Sequence, residues 1–416
     1  MRPARQSYAS IALAMSLLIS ASTTRAQDMT NGASSGWRSL FNGEDLTGWK
    51  QLNGAHIFEA KDGAIVGTTV PGEPNGFLVT EEEFGDFILE FEVRSDLLMN
   101  NSGVQFRSLS HDGYQEGRVH GYQAEIDTKP QKWSGSIYDE ARRGWLVTTD
   151  IHPESKRAFV NNQWNSYRIE AIGTTNRVWV NGIPTANLED NLTTRGFIGL
   201  QLHANQPNID PEGARQIRWR NFRIKTTDLQ PSPFDDLFVT NLIPNNLSPQ
   251  EKENGYRLLW DGKSLDGWTG DTNAGFEIVD GAISVGASGT PDAPSDQQLV
   301  TNAPSVPFEL KFEFMSATDD AVCGLGYAEA GSNVPGSGEG GDALTFCHLA
   351  SKKAIPDRWN RAVIRMMSNG RTEYWLNGAH ILEYQRNSDE GVRWNILIRP
   401  VADDMSYRSI KIKEVD

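Results

Sequence analysis

Apolar and polar residues alternate along most of this chain with a period of two. Phe87, Leu89, Phe91 and Val93 share one face of a predicted strand, with Ile88, Glu90, Glu92 and Arg94 opposite. Val104 and Phe106 alternate with Gln105 and Arg107, and Tyr167, Ile169 and Ala171 with Arg168 and Glu170. Ile198, Leu200 and Leu202 alternate with Gln201 and His203, before a last run from Ile217 to Lys225. Asn181-Gly182 and Asn377-Gly378 are hairpin turns after Trp-Val and Trp-Leu runs. No convincing amphipathic helix interrupts these strands. The pattern predicts an all-β protein of antiparallel two-sheet sandwiches of the jelly-roll type.

The pattern also occurs twice. GWRSLFNGEDLTGW from Gly36 returns as GYRLLWDGKSLDGW from Gly255, with seven of fourteen positions identical. DFILEFEVRS from Asp86 returns as PFELKFEFMS, and QWNSYRIEAIGTTNRVWVNG from Gln163 as RWNRAVIRMMSNGRTEYWLNG. A repeat this long means two tandem domains, 36–225 and 255–416. The stretch between them, 226–254, carries Pro231, Pro233, Pro244 and Pro249 without alternation and reads as a linker. Within it, Ser248-Pro-Gln-Glu251 is a capping box that predicts one helical turn.

The two copies differ in one interval. Phe87 matches Phe308 at an offset of 221, whereas Trp164 matches Trp359 at 195, so the second copy is 26 residues shorter in between. That interval holds the most charged stretch of the first copy, Gly117 to Leu146. Its nearest counterpart, DALTFCHL from Asp342, has no carboxylate beyond its first residue. A feature needed by the scaffold would stand in both copies. The charged segment therefore marks a site in the first domain, and the second is degenerate.

Composition narrows the setting. Arg2 and Arg5 precede a short apolar run, Ile11 to Ser20, and Thr24-Arg25-Ala26 offers small residues at a cleavage site. Residues 1–26 read as a signal peptide of a secreted or periplasmic protein without a membrane span. With 54 acidic against 39 basic residues, the formal charge of -15 disfavours nucleic acid and anionic membranes as partners. Twelve tryptophans suit a core, with some left for sugar stacking. Cys323 and Cys347 are the only cysteines, and an oxidising compartment permits a disulfide between them as well as two free buried thiols.

The candidate chemistry centres on Tyr122 to Asp127. Tyr122, Ala124 and Ile126 point one way, and Gln123, Glu125 and Asp127 the other. One sheet's outer face is expected to collect Gln105, Arg107, Gln123, Glu125, Asp127, Gln201 and His203 as an open concavity. The Tyr138 to Trp145 loop, with Arg142 and Arg143, would form its rim. The plainer reading is a solvated strand face, with Arg142 and Arg143 pairing with Asp139 and Glu140 and His120 an ordinary loop histidine.

In order, the motifs FNGEDLTGWK, DFILEFEVR, NNSGVQFRS, HGYQAEID, SGSIYDE, QWNSYRIEAIG and GFIGLQLH resemble those of the 3-keto-disaccharide hydrolase family. The resemblance is close over Leu40 to Lys225 and extends to Leu259 to Lys413 through the scaffold motifs alone. It implies a concanavalin A-like lectin/glucanase sandwich. One departure stands out: many members carry Glu-x-Gln where this chain has Gln123-x-Glu125, which moves the carboxylate two residues along one face.

The chemistry implied is cleavage of a 3-keto-glycoside, a carbohydrate substrate. A base removes the proton at carbon 2, the enolate expels the group on carbon 1, and water can add. Glu125, Asp127 and His120 are candidate bases. Arg107, His203 or a divalent cation held by Glu125, Asp127 and His203 would stabilise the enolate. Tyr138, Arg142, Arg143 and Trp145, with Gln105, Gln123 and Gln201, would bind the sugar. The competing reading is a non-catalytic carbohydrate-binding protein. An ordinary glycosidase needs two carboxylates set across the scissile bond, which Glu125 and Asp127 as neighbours on one strand fit poorly.

Overall fold

In the first copy, inward-facing rows such as Phe87, Leu89, Phe91 and Val93 meet Val104, Phe106, Tyr122 and Ala124 from a second sheet, and all are buried in one apolar core. The computed structural model describes residues 36–95, 100–152, 154–204, 215–235, 237–270, 276–285, 298–301, 307–317, 324–329, 354–385, 394–398 and 404–415. Two sheets of nine and seven strands form this sandwich. The seven-stranded sheet carries the charged segment. Its order is Gly144–Val147, Ile137–Glu140, His120–Asp127, Asn101–Leu109, Phe197–Leu202, Gly76–Thr80 and Trp49–Asn53, antiparallel throughout. The expected all-β class and sandwich architecture are what the chain adopts.

Among its described residues the second copy builds sheets of eight and four strands over its own core, which includes Phe308, Leu310, Phe312, Tyr374 and Ile412. Scaffold details recur. Trp49 Nε1 donates to Leu40 O at 2.8 Å, as Trp268 Nε1 does to Leu259 O at 3.0 Å. The Arg220 guanidinium covers the Trp164 ring at 4.0 Å, as Arg408 covers Trp359 at 3.9 Å. The four-stranded sheet ends, among the described residues, at Leu325–Glu329, the counterpart of Asn101–Leu109. The counterpart of the His120–Asp127 strand, both cysteines and the N-terminal 26 residues lie outside the described residues.

The inter-domain stretch is more ordered than its prolines suggested. Thr240–Asn241 pairs in parallel with the edge strand Ile183–Glu189. Pro249–Glu253 is the expected helical turn, with both capping-box bonds made: Glu251 N donates to Ser248 Oγ (3.1 Å) and Ser248 N to Glu251 Oε2 (3.0 Å). Glu251 then accepts from Lys411 Nζ at 2.9 Å, which ties the turn to the second sandwich.

Candidate active site

The His120–Asp127 strand lies between Asn101–Leu109 and Ile137–Glu140. Its register sets Gln123 opposite both Gln105 and Tyr138, and Glu125 opposite Gly103. Tyr122, Ala124 and Ile126 enter the core. Gln105, Gln123, Glu125, Asp127 and Gln201 share the other face, as the alternation predicts. That face is not open, however, and all five side chains are buried. The end of the Ser110 to Val119 segment, Gly117 to Val119, folds back along it. Asn53 holds the segment from the far edge strand, donating to Gly117 O at 3.2 Å and accepting from Val119 N at 2.9 Å. Val119 packs with Phe77, Val79 and Phe197, an apolar patch on the same side of the sheet.

On this face the buried side chains largely satisfy one another, with Gln201 Oε1 the exception. Ser108 Oγ donates to Gln105 Oε1 (2.8 Å), Gln105 Nε2 to Gln123 Oε1 (2.5 Å), and Gln123 Nε2 to Glu125 Oε2 (2.9 Å). Asn101 Nδ2 donates to Glu125 Oε1 at 2.7 Å. The Gln123 side chain lies flat over Gly103, where a Cβ would stand 2.3 Å from it. Glu125, only 1% exposed, has its pKa pushed up to about 8. Burial is the main cause. The bonds from Gln123 and Asn101 oppose it and are outweighed, while the nearby Asp127 charge adds to it.

Asp127 plays a different part. Its Oδ1 accepts from Lys129 N at 3.0 Å and its Oδ2 from Gln131 Nε2 at 2.6 Å, so both oxygens hold the turn that follows the strand. Among the described residues no group of three or more His, Cys, Asp or Glu is placed to hold a metal ion. Glu125, Asp127 and His203 do not fit as a ligand set: the first is capped by two amide donors and the second by its own turn.

A second carboxylate reaches this face. Glu140 accepts from Gln201 Nε2 (3.2 Å), Asn75 Nδ2 (3.3 Å) and the exposed Arg118 (3.3 Å). Tyr138, two residues earlier on the same face, feels both Glu140 and Glu125, and burial raises its pKa. His203 lies exposed at the rim, within electrostatic reach of Asp127 and Glu140. Trp145 is 39% exposed, its ring 4.8 Å from Tyr138 and 4.7 Å from Trp133. Glu140, Arg118, Asn75 and Asn101 were missed by the sequence reading. The alternation of Ile137 and Asp139 against Tyr138 and Glu140 was a signal for the first of them.

Four expected site residues face elsewhere. Arg107 has φ +46° at a bulge between the Phe106 and Leu109 pairings, which breaks the alternation. Its guanidinium is buried and donates to Asp86 Oδ1 (2.8 Å), Gly85 O (3.1 Å) and Gly173 O (2.8 Å). His120 has the parity of Tyr122, not of Glu125. Its Nδ1 is bonded to Arg118 O at 2.9 Å, its ring stacks on Tyr114 at 3.9 Å, and burial lowers its pKa. Arg142 and Arg143 both bind Asp139, and Arg143 also Asp190, which accepts the Tyr122 hydroxyl at 2.6 Å. Asp139 stands opposite Tyr122, so both arginines close the core side of the sheet instead of clamping a sugar on the other.

The sequence pattern described as the 3-keto-alpha-glucoside-1,2-lyase-like domain matches residues 36–225 and 255–413. No curated protein matches the chain. Among solved structures, a candidate glycosyl hydrolase from Parabacteroides distasonis ATCC 8503 is 19% identical, covering 47% of this chain and 96% of its own, with a TM-score of 0.35. The carbohydrate-binding module CBM66 from Bacillus subtilis is 15% identical over 43% of this chain and 96% of its own, TM-score 0.32. A Bacillus subtilis protein of unknown function with a galectin-like fold is 11% identical over 46% and 98%, TM-score 0.35.

Proposed function

Because the chain belongs to the 3-keto-alpha-glucoside-1,2-lyase-like domain family in both its copies, we propose that the first sandwich cleaves 3-keto-glycosides outside the cytoplasm. The observation that carries this reading is Glu125, a carboxyl whose burial leaves it poised near pH 8 on the polar face of the sheet. An ordinary surface glutamate is too weak a base for a carbon acid, and a raised pKa brings it closer to the task.

In the proposed reaction the ionised Glu125 takes the proton from carbon 2. The electron pair of that C–H bond forms the enolate of the 3-ketone. As the ketone is restored, carbons 1 and 2 become doubly bonded, the C1–O bond breaks, and the leaving oxygen takes up a proton. Water adding to the enone gives the hydrolytic outcome. Arg118 and His203 stand at the rim where charge develops on the ketone oxygen. Tyr138 and Trp145 supply apolar ring faces for the sugar. The Ser110 to Val119 cover lifts to admit it, a gating step of a familiar kind. Export is part of the reading, and the mature protein is expected to begin at Gln27.

The exposed Trp145, packed with the half-buried Trp133 and Tyr138 rings, favours a second reading, a non-catalytic carbohydrate-binding domain. One experiment separates the two. The protein is incubated with a 3-keto-glucoside and its unoxidised parent, with and without chelator, and aglycone release is followed. The proposal expects release from the keto-glucoside alone. Binding of both sugars without release from either would leave the binding role.

A further inference from the structure

Trp145 faces a second cavity. It has a volume of about 650 Å³ and walls from both sandwiches: Arg143 and Trp145 from the first, Arg358, Trp359, Arg361 and Arg408 from the second. Arg142 completes a set of five lining arginines, against Asp357 as the one lining carboxylate. Behind the walls, Asp139 and Asp190 neutralise Arg142 and Arg143, and Glu313 serves both Arg361 (3.4 Å) and Arg408 (2.8 Å). Four carboxylates thus meet five guanidinium groups. One positive charge is left over in a chain whose formal charge is -15. The excess arises where the single Glu313 serves two arginines, and Arg358, exposed and without an ion pair among the described residues, is the side chain free to engage a ligand.

We propose that this cleft between the copies binds an acidic sugar, with the ring against Trp145 and a single carboxylate on Arg358. A planar guanidinium matches a planar carboxylate through two parallel bonds, and the excess charge matches one anion. Arg408 covers one face of Trp359 and holds that wall in place. The second copy, which has a shorter counterpart of the charged segment, thereby acquires a role as the far wall of a binding site. The inference rests on the carbohydrate reading but not on the cleavage reaction.

The test is calorimetric titration of the full chain with three unoxidised disaccharides: one containing a uronic acid, its neutral counterpart and a sulfated analogue. The uronate is expected to bind about tenfold or more tightly than the neutral sugar, with the preference shrinking at high salt. Arg358→Gln should abolish the preference and leave neutral binding unchanged, whereas Trp145→Ala should weaken both. Arg358-dependent binding of the sulfated sugar above the uronate would keep the anion site and change the anion. Equal binding of acidic and neutral sugars, a preference surviving in Arg358→Gln, or no binding of any of the three overturns the proposal. Turnover of keto-sugars enters none of these readouts, so a failure of the cleavage reading is separately visible.

Discussion

The amide of Asn101 donates to the carboxyl of Glu125 across 2.7 Å from the neighbouring strand. Such a bond favours the charged carboxylate, as does the second one from Gln123, yet the group is held at a pKa of about 8. Removing a carboxylate from water here outweighs two amide donors. The sheet therefore stores a proton on Glu125 at neutral pH, and the consequences can be measured.

The first consequence is kinetic. A base must be ionised to act, so kcat/KM on a 3-keto-glucoside should rise about tenfold per pH unit below pH 8 and level off above it. A profile flat from pH 6 to 9 would remove Glu125 as the base.

The second is thermodynamic. The unfolded chain releases this proton near 4.5 and the folded chain near 8, so in that window the folded state binds more protons and loses stability as pH rises. Glu125→Gln keeps the shape and removes the charge. Relative to the parent it should gain about 1.4 kcal/mol per pH unit across the window, with little difference below pH 4.5, while turnover falls about a hundredfold or more. Urea melts of both proteins at pH 4.5 and 8 check the sign.

Two arginines should separate structure from chemistry. Arg107→Ala leaves Gly85 O and Gly173 O without their donor and removes the buried partner of Asp86, and should cost about 3 kcal/mol of stability. Specific activity of the folded fraction should not change. Arg118→Ala removes an exposed partner of Glu140 and should leave the melting temperature within about 2 °C while lowering turnover. Thermal melts beside activity per folded molecule decide it, and the reverse pattern would put Arg107 back at the site.

Gly103 tests the packing of the polar face. In Gly103→Ala the new methyl would stand 2.3 Å from the Gln123 side chain, which must move and release both Gln105 and Glu125. A loss of about 1–3 kcal/mol is expected, along with a changed pH midpoint of activity. An unchanged midpoint would mean that Gln123 has no part in setting the Glu125 pKa.

Alternation alone determined the all-β class, the core facing of Tyr122, Ala124 and Ile126, and the common face of Gln105, Gln123, Glu125, Asp127 and Gln201. Side chains on a strand alternate by geometry, so one sequence period fixes their facing. The same rule, applied to His120, would have placed it with Tyr122. What the sequence could not determine depends on contacts between residues far apart in the chain. Asn53 pins a loop 64 residues away, and that closes a face the pattern left open. A bulge with a positive φ turns Arg107 inward, and Asp190, 47 residues away in sequence, joins Asp139 in holding Arg143 on the core side. Glu140 reaches Gln201 across 61 residues of sequence, and Glu125 owes its proton to burial that strand alternation cannot foresee. Local period decides which way a side chain points; tertiary packing decides whether water is waiting there.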